Sequence, residues 1–322
     1  MRVRVPSVTP FILFRITKPI PESLIMANPF SIACLNNQFL PLGEARVSAI
    51  DRGFLYGDGL FETIRIHNER PFLWEWHMMR FTGGAESLGI TLPQSAEVLL
   101  GNVRKLIHRN NGLESVARIA LSRGVGLRGY GVSGEEEPTL LITQHPLPIP
   151  PTQPLSLVAT SARVAVGDPL AKVKSANKLG SVLAKREANA QGADDGFILN
   201  SDGNVTETSS ANLFWVEGGT LHTPPVSDGV LPGVTRRLVV GLASALGQAV
   251  REESVASDRL QQADAAFVTS AATGIVAVGQ VDGGALGAHP LVGQLQDAYD
   301  AATQEVPAEI WAAFEAEFGV GA

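Results

Sequence analysis

A single cysteine, Cys34, stands among 322 residues. An internal disulfide and a cysteine-built zinc cage are therefore excluded. Six histidines are scattered, none in H-x-x-x-H or H-E-x-x-H spacing, so no metal site is expected. No apolar run approaches membrane-spanning length. No basic tract offsets the net charge of −7, so neither nucleic acid nor an anionic membrane is an expected partner. A G-x-S-x-G elbow is missing, as is any internal repeat. Charged residues reach only 18% against 45% apolar, which excludes a charge-rich disordered chain. The 33 glycines and 20 prolines are too few for a collagen-like or low-complexity sequence. With no secretion signal either, a reducing cytoplasm is the expected location.

The first residues are unusual. Met1 to Ile25 carries Arg2, Arg4, Arg15 and Lys18 against Glu22 alone. Its apolar run, Phe11 to Phe14, is too short for a signal-peptide core, and no amphipathic face supports a transit peptide. Residues 1–27 are expected to be a disordered leader, or sequence upstream of a true start at Met26. Further on, five prolines crowd into His145–Pro154. Proline fixes φ and removes a donor, so residues 146–154 read as a stiff linker. It separates a small α+β domain, 28–145, from a larger α/β domain, 155–322.

Periodicity places the elements. Ser31–Leu35, Leu60–His67, Val116–Ser122 and Thr139–Thr143 read as strands, Trp74–Leu88 and Ala96–Arg109 as helices. Helices laid on one antiparallel sheet are the expectation for this half. Beyond the linker, Leu155–Ala159, Phe267–Ser270 and Ile275–Val278 read as strands. Leu179–Gln191, Val234–Leu246 and Ile310–Phe318 read as helices. Gly196–Leu199 and Asn212–Val216 are expected to form a hairpin around Ser201–Asn204.

Chemistry concentrates after the linker. GVGLRG, Gly124–Gly129, fits a dinucleotide fingerprint, but a loop follows it where the phosphate-binding helix is required. Lys174 follows a strand-like stretch and precedes a helix, where a side chain can be aimed into a site. Glu207 lies among the small hydroxyl residues Thr206, Thr208, Ser209 and Ser210, just before an apolar strand. LPGVTRR, Leu231–Arg237, sets Val234 and Thr235 at a helix start, where free backbone N–H groups favour an anion. A lysine, a carboxylate and a phosphate-ready helix terminus are the three parts that pyridoxal phosphate requires.

Together these motifs resemble the class IV aminotransferase family, the fold-type IV pyridoxal-phosphate enzymes. The likeness spans about Asn28 to Gly279. It is carried by DRGFLYGDGLFETIR (Asp51–Arg65), WHMMR (Trp76–Arg80), SRGVGLRGY (Ser122–Tyr130), KSANKL (Lys174–Leu179), TETSSANLFW (Thr206–Trp215) and LPGVTR (Leu231–Arg236). The resemblance implies a two-domain α+β fold with the site at the domain interface, and a homodimer whose partner subunit helps line that site. It assigns Lys174, rather than Lys172 or Lys178, as the Schiff-base lysine and Glu207 as partner of the pyridine nitrogen. Arg80, Val234 and Thr235 are implied to hold the phosphate, with Leu231 against the ring face. Ser270 and Ala271 would close over phosphate and substrate; many relatives carry threonine at the position of Ala271. Glu62 is implied as a site-facing catalytic group, and Tyr56, Arg128 and Tyr130 as substrate residues.

The motifs divide over the reaction. Arg128-Gly129-Tyr130 and SANLFW resemble 4-amino-4-deoxychorismate lyase, which releases 4-aminobenzoate and pyruvate in folate synthesis. Glu62 and Tyr56 resemble transaminases, and KSANKLGSVLAKREA the D-amino-acid enzymes. The lyase is the leading expectation. An amino-acid transaminase, branched-chain or D-specific, is the alternative. A non-catalytic pyridoxal-phosphate- or dinucleotide-binding protein is a third reading: unchanged turnover by a Lys174→Ala variant would sink the catalytic assignment, and tight nicotinamide binding without pyridoxal phosphate would revive the dinucleotide idea. In each catalytic case the substrate is a small amine bearing a carboxylate, for which a planar arginine such as Arg128 is suited.

Overall fold

The computed structural model describes residues 28–318. What is expected of residues 1–27 lies outside the described residues. Two sheets are built on either side of the irregular stretch 147–154. The first has six strands: β1 (Ile32–Leu35), β2 (Gln38–Pro41), β3 (Gly59–His67), β4 (Arg70–Pro71), β5 (Ser115–Val125) and β6 (Glu137–Pro146). Their order is β2-β1-β6-β5-β3-β4, with antiparallel pairing throughout. After the short helix α1 (Arg52–Tyr56), the helices α2 (Trp74–Leu88) and α3 (Ala96–Asn110) pack on this sheet. Helix α3 starts because Ser95 Oγ accepts from the Val98 N–H, and stops at Asn111 with φ 50°. Its stripe of Leu99, Val103, Leu106 and Ile107 is buried against Ile64, Ile119 and Ile142 of the sheet in one cluster.

The second half carries nine strands: β7 (Leu155–Val164), β8 (Asp195–Asn200), β9 (Val205–Thr208), β10 (Asn212–Glu217), β11 (Thr220–Thr223), β12 (Val250–Glu252), β13 (Ala265–Ser270), β14 (Gly274–Val281) and β15 (Gly284–Ala285). Five helices accompany them: α4 (Leu179–Ala190), α5 (Val234–Ala245), α6 (Ser257–Leu260), α7 (Pro290–Gln304) and α8 (Ala308–Phe318). The path runs β12-β11-β10-β13-β14-β7-β8-β9, and β9 also meets β10 where Asn212 faces Glu207. That last pairing closes six strands into a ring. Pairing is mixed, parallel at β7–β8, β7–β14 and β11–β12.

Two features depart from the periodicity reading. The hairpin around Ser201–Asn204 joins β8 to β9, not to Asn212–Val216, which pairs with β11 and β13. The reason is chemical: β9 reads VTET and looks like a turn, yet Val205, Thr206 and Thr208 are buried. Thr206 manages this by donating its hydroxyl to the Ile198 carbonyl at 2.8 Å. Helix α7 is the other departure, since periodicity assigns no helix there. Leu291, Val292, Leu295, Tyr299 and Ala302 form its buried stripe. Among the described residues, no helix is long and apolar enough to cross a membrane.

The halves are joined by backbone. The Phe61 N–H donates to the Lys174 carbonyl at 2.9 Å, and the Ala176 N–H to the Gly59 carbonyl at 2.8 Å. The segment carrying Lys174 is thus stitched to β3 of the other sheet.

Candidate active site

A cavity of about 630 Å³ opens where the sheets meet. From the first half, Phe61 and Thr63 on β3, His77 and Arg80 on α2, and Arg118 on β5 line it. From the second come Lys174, Glu207, Leu231, Val234, Thr235, Ser270 and Ala271. A larger groove, about 1010 Å³, lies between the β3–β4 hairpin and the C-terminal helices, but no lysine lines it. The interface cavity is therefore where the chemical groups converge.

Lys174 projects from the stitched segment, its Nζ 4.8 Å from the centre of the Phe61 ring. Burial pushes its pKa down to about 8, with the positive charge of Arg80 acting the same way. A lysine so placed is readily a neutral amine, the form that serves as nucleophile or base.

Glu207 sits at the β9–β10 closure. Its Oε2 accepts from Asn212 Nδ2 at 3.1 Å and from the Leu231 N–H at 3.2 Å. Oε1 takes no hydrogen bond from the described residues and is left for a donor in the cavity. Burial pushes this carboxyl up, against the opposing charge of Lys178. A cationic ring N–H beside Oε1 reverses that balance.

Arg80 crosses the interface. Its Nε and Nη2 donate to the two oxygens of Glu62, both at 2.8 Å, and Nη1 donates to the Pro232 carbonyl at 3.0 Å. Pro232 adjoins Gly233, the N-cap of α5, so the guanidinium stands beside that helix start. Gly233 is required there: a Cβ would come within 1.9 Å of Asn212 Oδ1. The first-turn N–H groups of Val234 and Thr235 have no intrahelical partners. Across the cavity, Thr269 Oγ1 is buried without a partner among the described residues. Ser270 and Thr273 bond hydroxyl to hydroxyl at 2.8 Å and tie the turn that carries Ala271 and Ala272.

These features fit pyridoxal phosphate. A helix start with an arginine matches a phosphate, an open carboxylate oxygen matches a pyridine N–H, and a weakly basic lysine matches an aldehyde. The orphaned Thr269 hydroxyl marks a wall built to meet a polar ligand.

Glu62 is placed otherwise than as a reacting group. It is fully buried behind the wall, and both oxygens are held by Arg80, with His77 Nδ1 also 2.8 Å from Oε2. Burial alone would raise its carboxyl, but Arg80 and His77 together outweigh that and hold it well below the usual range. Burial pushes His77 down, so it is a neutral donor to Glu62. Glu62 positions Arg80. Tyr56, Arg128 and Tyr130 are likewise not brought to the cavity of their own chain. Tyr130 is 88% exposed, and its loop is clamped on α1: the Gly129 N–H donates to Tyr56 Oη at 3.0 Å, and Arg52 Nη1 to the Gly129 carbonyl at 2.9 Å.

Arg118, Phe61, His77 and Asn212 are additional to the residues expected from sequence. Arg118 stacks on Phe61, its guanidinium carbon 3.7 Å from the ring centre, and has no ion pair or hydrogen bond among the described residues. Far from the cavity, Glu217, His222 and Glu253 converge. There Arg259 already bridges both glutamates at 2.8 Å, supplying the cation.

A profile of the family described as Amino-transferase class IV matches residues 59–281. A Methanocaldococcus jannaschii protein, named provisionally as a branched-chain-amino-acid aminotransferase, is 37% identical over 251 residues, covering 77% of this chain and 87% of its own. The aminodeoxychorismate lyase of Bacillus subtilis is 30% identical over 246 residues, 75% of this chain and 84% of its own. The branched-chain aminotransferase of the thermophilic archaeon Thermoproteus uzoniensis, solved with norvaline, superposes with a TM-score of 0.81 at 28% identity, covering 84% of this chain and 94% of that one.

Proposed function

The chain belongs to the class IV aminotransferase family, and we propose that within it the protein is a pyridoxal-phosphate-dependent transaminase moving the amino group of an α-amino acid to a 2-oxo acid. The observation that carries the reading is Arg118. A transaminase must seat two different substrates in one cavity. Phe61, Leu155 and Pro148 offer an apolar wall for an aliphatic side chain. Arg118, whose guanidinium has no ion pair among the described residues, lines the same wall and offers a cation for a second, distal carboxylate.

Pyridoxal phosphate, when bound, supplies the sink for electrons from the substrate carbon. Lys174 would hold the cofactor and, as a neutral amine, would carry the proton that leaves the substrate α carbon. Glu207 Oε1 would accept the ring N–H. Arg80 and the first turn of α5 would hold the phosphate, with Leu231 lining the ring's place. Ser270 and Ala271 would close over phosphate and substrate carboxylate with backbone donors.

The lyase remains the second reading, favoured by Arg128-Gly129-Tyr130. One set of spectra separates the two. Protein loaded with pyridoxal phosphate is mixed in turn with L-leucine, L-glutamate and D-alanine. A transaminase loses its visible band to the pyridoxamine form with L-leucine and with L-glutamate. If no donor bleaches the band and aminodeoxychorismate instead yields pyruvate, the lyase is correct. Arg118→Gln raises KM for glutamate about 10- to 100-fold, the worth of a charged hydrogen bond, and leaves leucine nearly unchanged.

The proposal includes a homodimer. Phe54 on α1 and Leu127 and Tyr130 on the neighbouring loop are large, apolar and mostly exposed, at 76%, 73% and 88%. Such a patch marks an interface. Sedimentation should give twice the 34.0 kDa chain mass. An active species at the mass of one chain would refute the dimer.

A further inference from the structure

The cavity holds a second lysine. Lys178 lines it beside Lys174 and Glu207, half-buried, and its ammonium has no hydrogen bond or ion pair among the described residues. Most of its surroundings disfavour a free charge, with Glu207 the exception. It is the N-cap residue of α4, where the helix dipole presents its positive end. Burial, with Arg80 acting in the same sense, pushes its pKa down. Lys174 shares the cavity. Glu207 is the opposing carboxylate, but it lies beyond ion-pair distance, and its Oε2 already serves Asn212 and Leu231. The remaining charged lining is Arg118 and Asp195. Asp195 Oδ1 is taken by the Gly196 N–H at 2.8 Å. His77, neutral, faces Glu62. With no ion pair of its own in this setting, Lys178 is placed to receive an anion that a ligand brings.

The chemistry of the ligand narrows which anion. Glu207 and Lys174 define the two ends of the ring axis, nitrogen and aldehyde carbon. Arg80 and the start of α5 account for the phosphate arm on one side of that axis. One anionic atom of the cofactor is then unmatched, the phenolic oxygen on the other side. One cavity cation near Lys174 and Glu207 is also unmatched. We propose that Lys178 is a cofactor-binding residue whose ammonium pairs with the phenolic oxygen of pyridoxal phosphate. The proposal rests on the cofactor assignment above. In this arrangement Lys178 also stands as a fixed positive charge beside the point where Lys174 holds the cofactor. Such a charge favours the state with one proton fewer, and so lowers the pH at which the bound cofactor loses its proton.

The test is a pH titration of the visible band in protein loaded with pyridoxal phosphate and free of substrate. Lys178→Met removes the charge and keeps most of the volume. Its midpoint is expected about one to two pH units above wild type, as for a lost unit charge several ångströms away. Lys178→Arg, which keeps the charge, is expected to restore most of the shift and also shows that the position tolerates change. A Lys178→Met midpoint equal to that of wild type overturns the proposal. So does an unmoved midpoint joined to a raised KM for amino acids, which would hand Lys178 to the substrate carboxylate. Failure of the underlying reading looks different: wild-type protein then develops no visible band with pyridoxal phosphate, or Lys174→Ala keeps the band.

Discussion

Lys174→Ala loses the visible band of the bound cofactor and at least about 10⁴-fold in turnover, because one side chain both holds the cofactor and moves the proton. The variant is expected to fold at least as stably as wild type. Burial pushes the Lys174 amine down to about 8, so the folded state works against its charged form. The sign follows: a lysine with a lowered folded pKa costs stability at neutral pH, and removing it relieves that cost. The loss is therefore chemical and not structural, and two measurements separate the effects. Thermal unfolding of the cofactor-free protein should show a midpoint equal to or above that of wild type. Turnover in the presence of a small primary amine should recover in part, since free amine replaces the missing base. Residual turnover within tenfold of wild type would remove Lys174 from the reaction.

Different parts of the site are legible in the sequence to different degrees. Lys174, Glu207 and the start of α5 stand in short motifs, and each motif carries its own local geometry: a strand-to-helix crossing, a β closure, a helix N-terminus. All three line the same cavity between the sheets. What reading along the chain does not reveal is register and side-chain direction. Arg118 looks like an ordinary outward charge in the apolar strand SVARIALSRGV. It becomes a cavity residue because β3 and β5 pair with Thr63 opposite Arg118, which brings it over Phe61. Glu62 lies in an alternating strand and reads as facing the site, but its carboxylate turns to Arg80, 18 residues along on α2. The Arg128–Tyr130 stretch matches a substrate motif, yet Arg52 and Tyr56 hold its loop away from the cavity of its own chain. This is why the reaction reading moves from the lyase stretch towards the wall that Arg118 occupies. Polar strand β9 escapes a periodicity reading because buried hydroxyls satisfied by carbonyls look like a loop in sequence.

The second large effect concerns Arg80 and Glu62. Arg80→Met leaves the Glu62 carboxylate fully buried with only neutral His77 to oppose it. Removing one partner of a buried pair costs about 3–5 kcal/mol, a large part of the usual stability of a domain. The pH dependence identifies the cause. In wild type the Glu62 pKa is held below its ordinary value, so its stabilisation is present above pH about 4 and is lost only as pH falls into strong acid. In Arg80→Met burial is opposed only by the His77 hydrogen bond, and that pKa rises. The variant then gains stability as pH falls towards the ordinary carboxylate range, and loses it as pH rises through neutrality. Urea midpoints for the two proteins should therefore lie furthest apart at pH 8 and approach one another near pH 5. A gap that does not change with pH would mean that lost packing, not the stranded carboxylate, is responsible. The double variant Arg80→Met with Glu62→Leu separates folding from function. It removes both charges and is expected to recover most of the stability, because an apolar pair can replace a buried ion pair. It is not expected to recover cofactor affinity, since the guanidinium beside Pro232 and Gly233 is still gone. Stability restored without affinity would establish that Glu62 acts through Arg80. Affinity restored as well would show that the phosphate is held by the start of α5 alone.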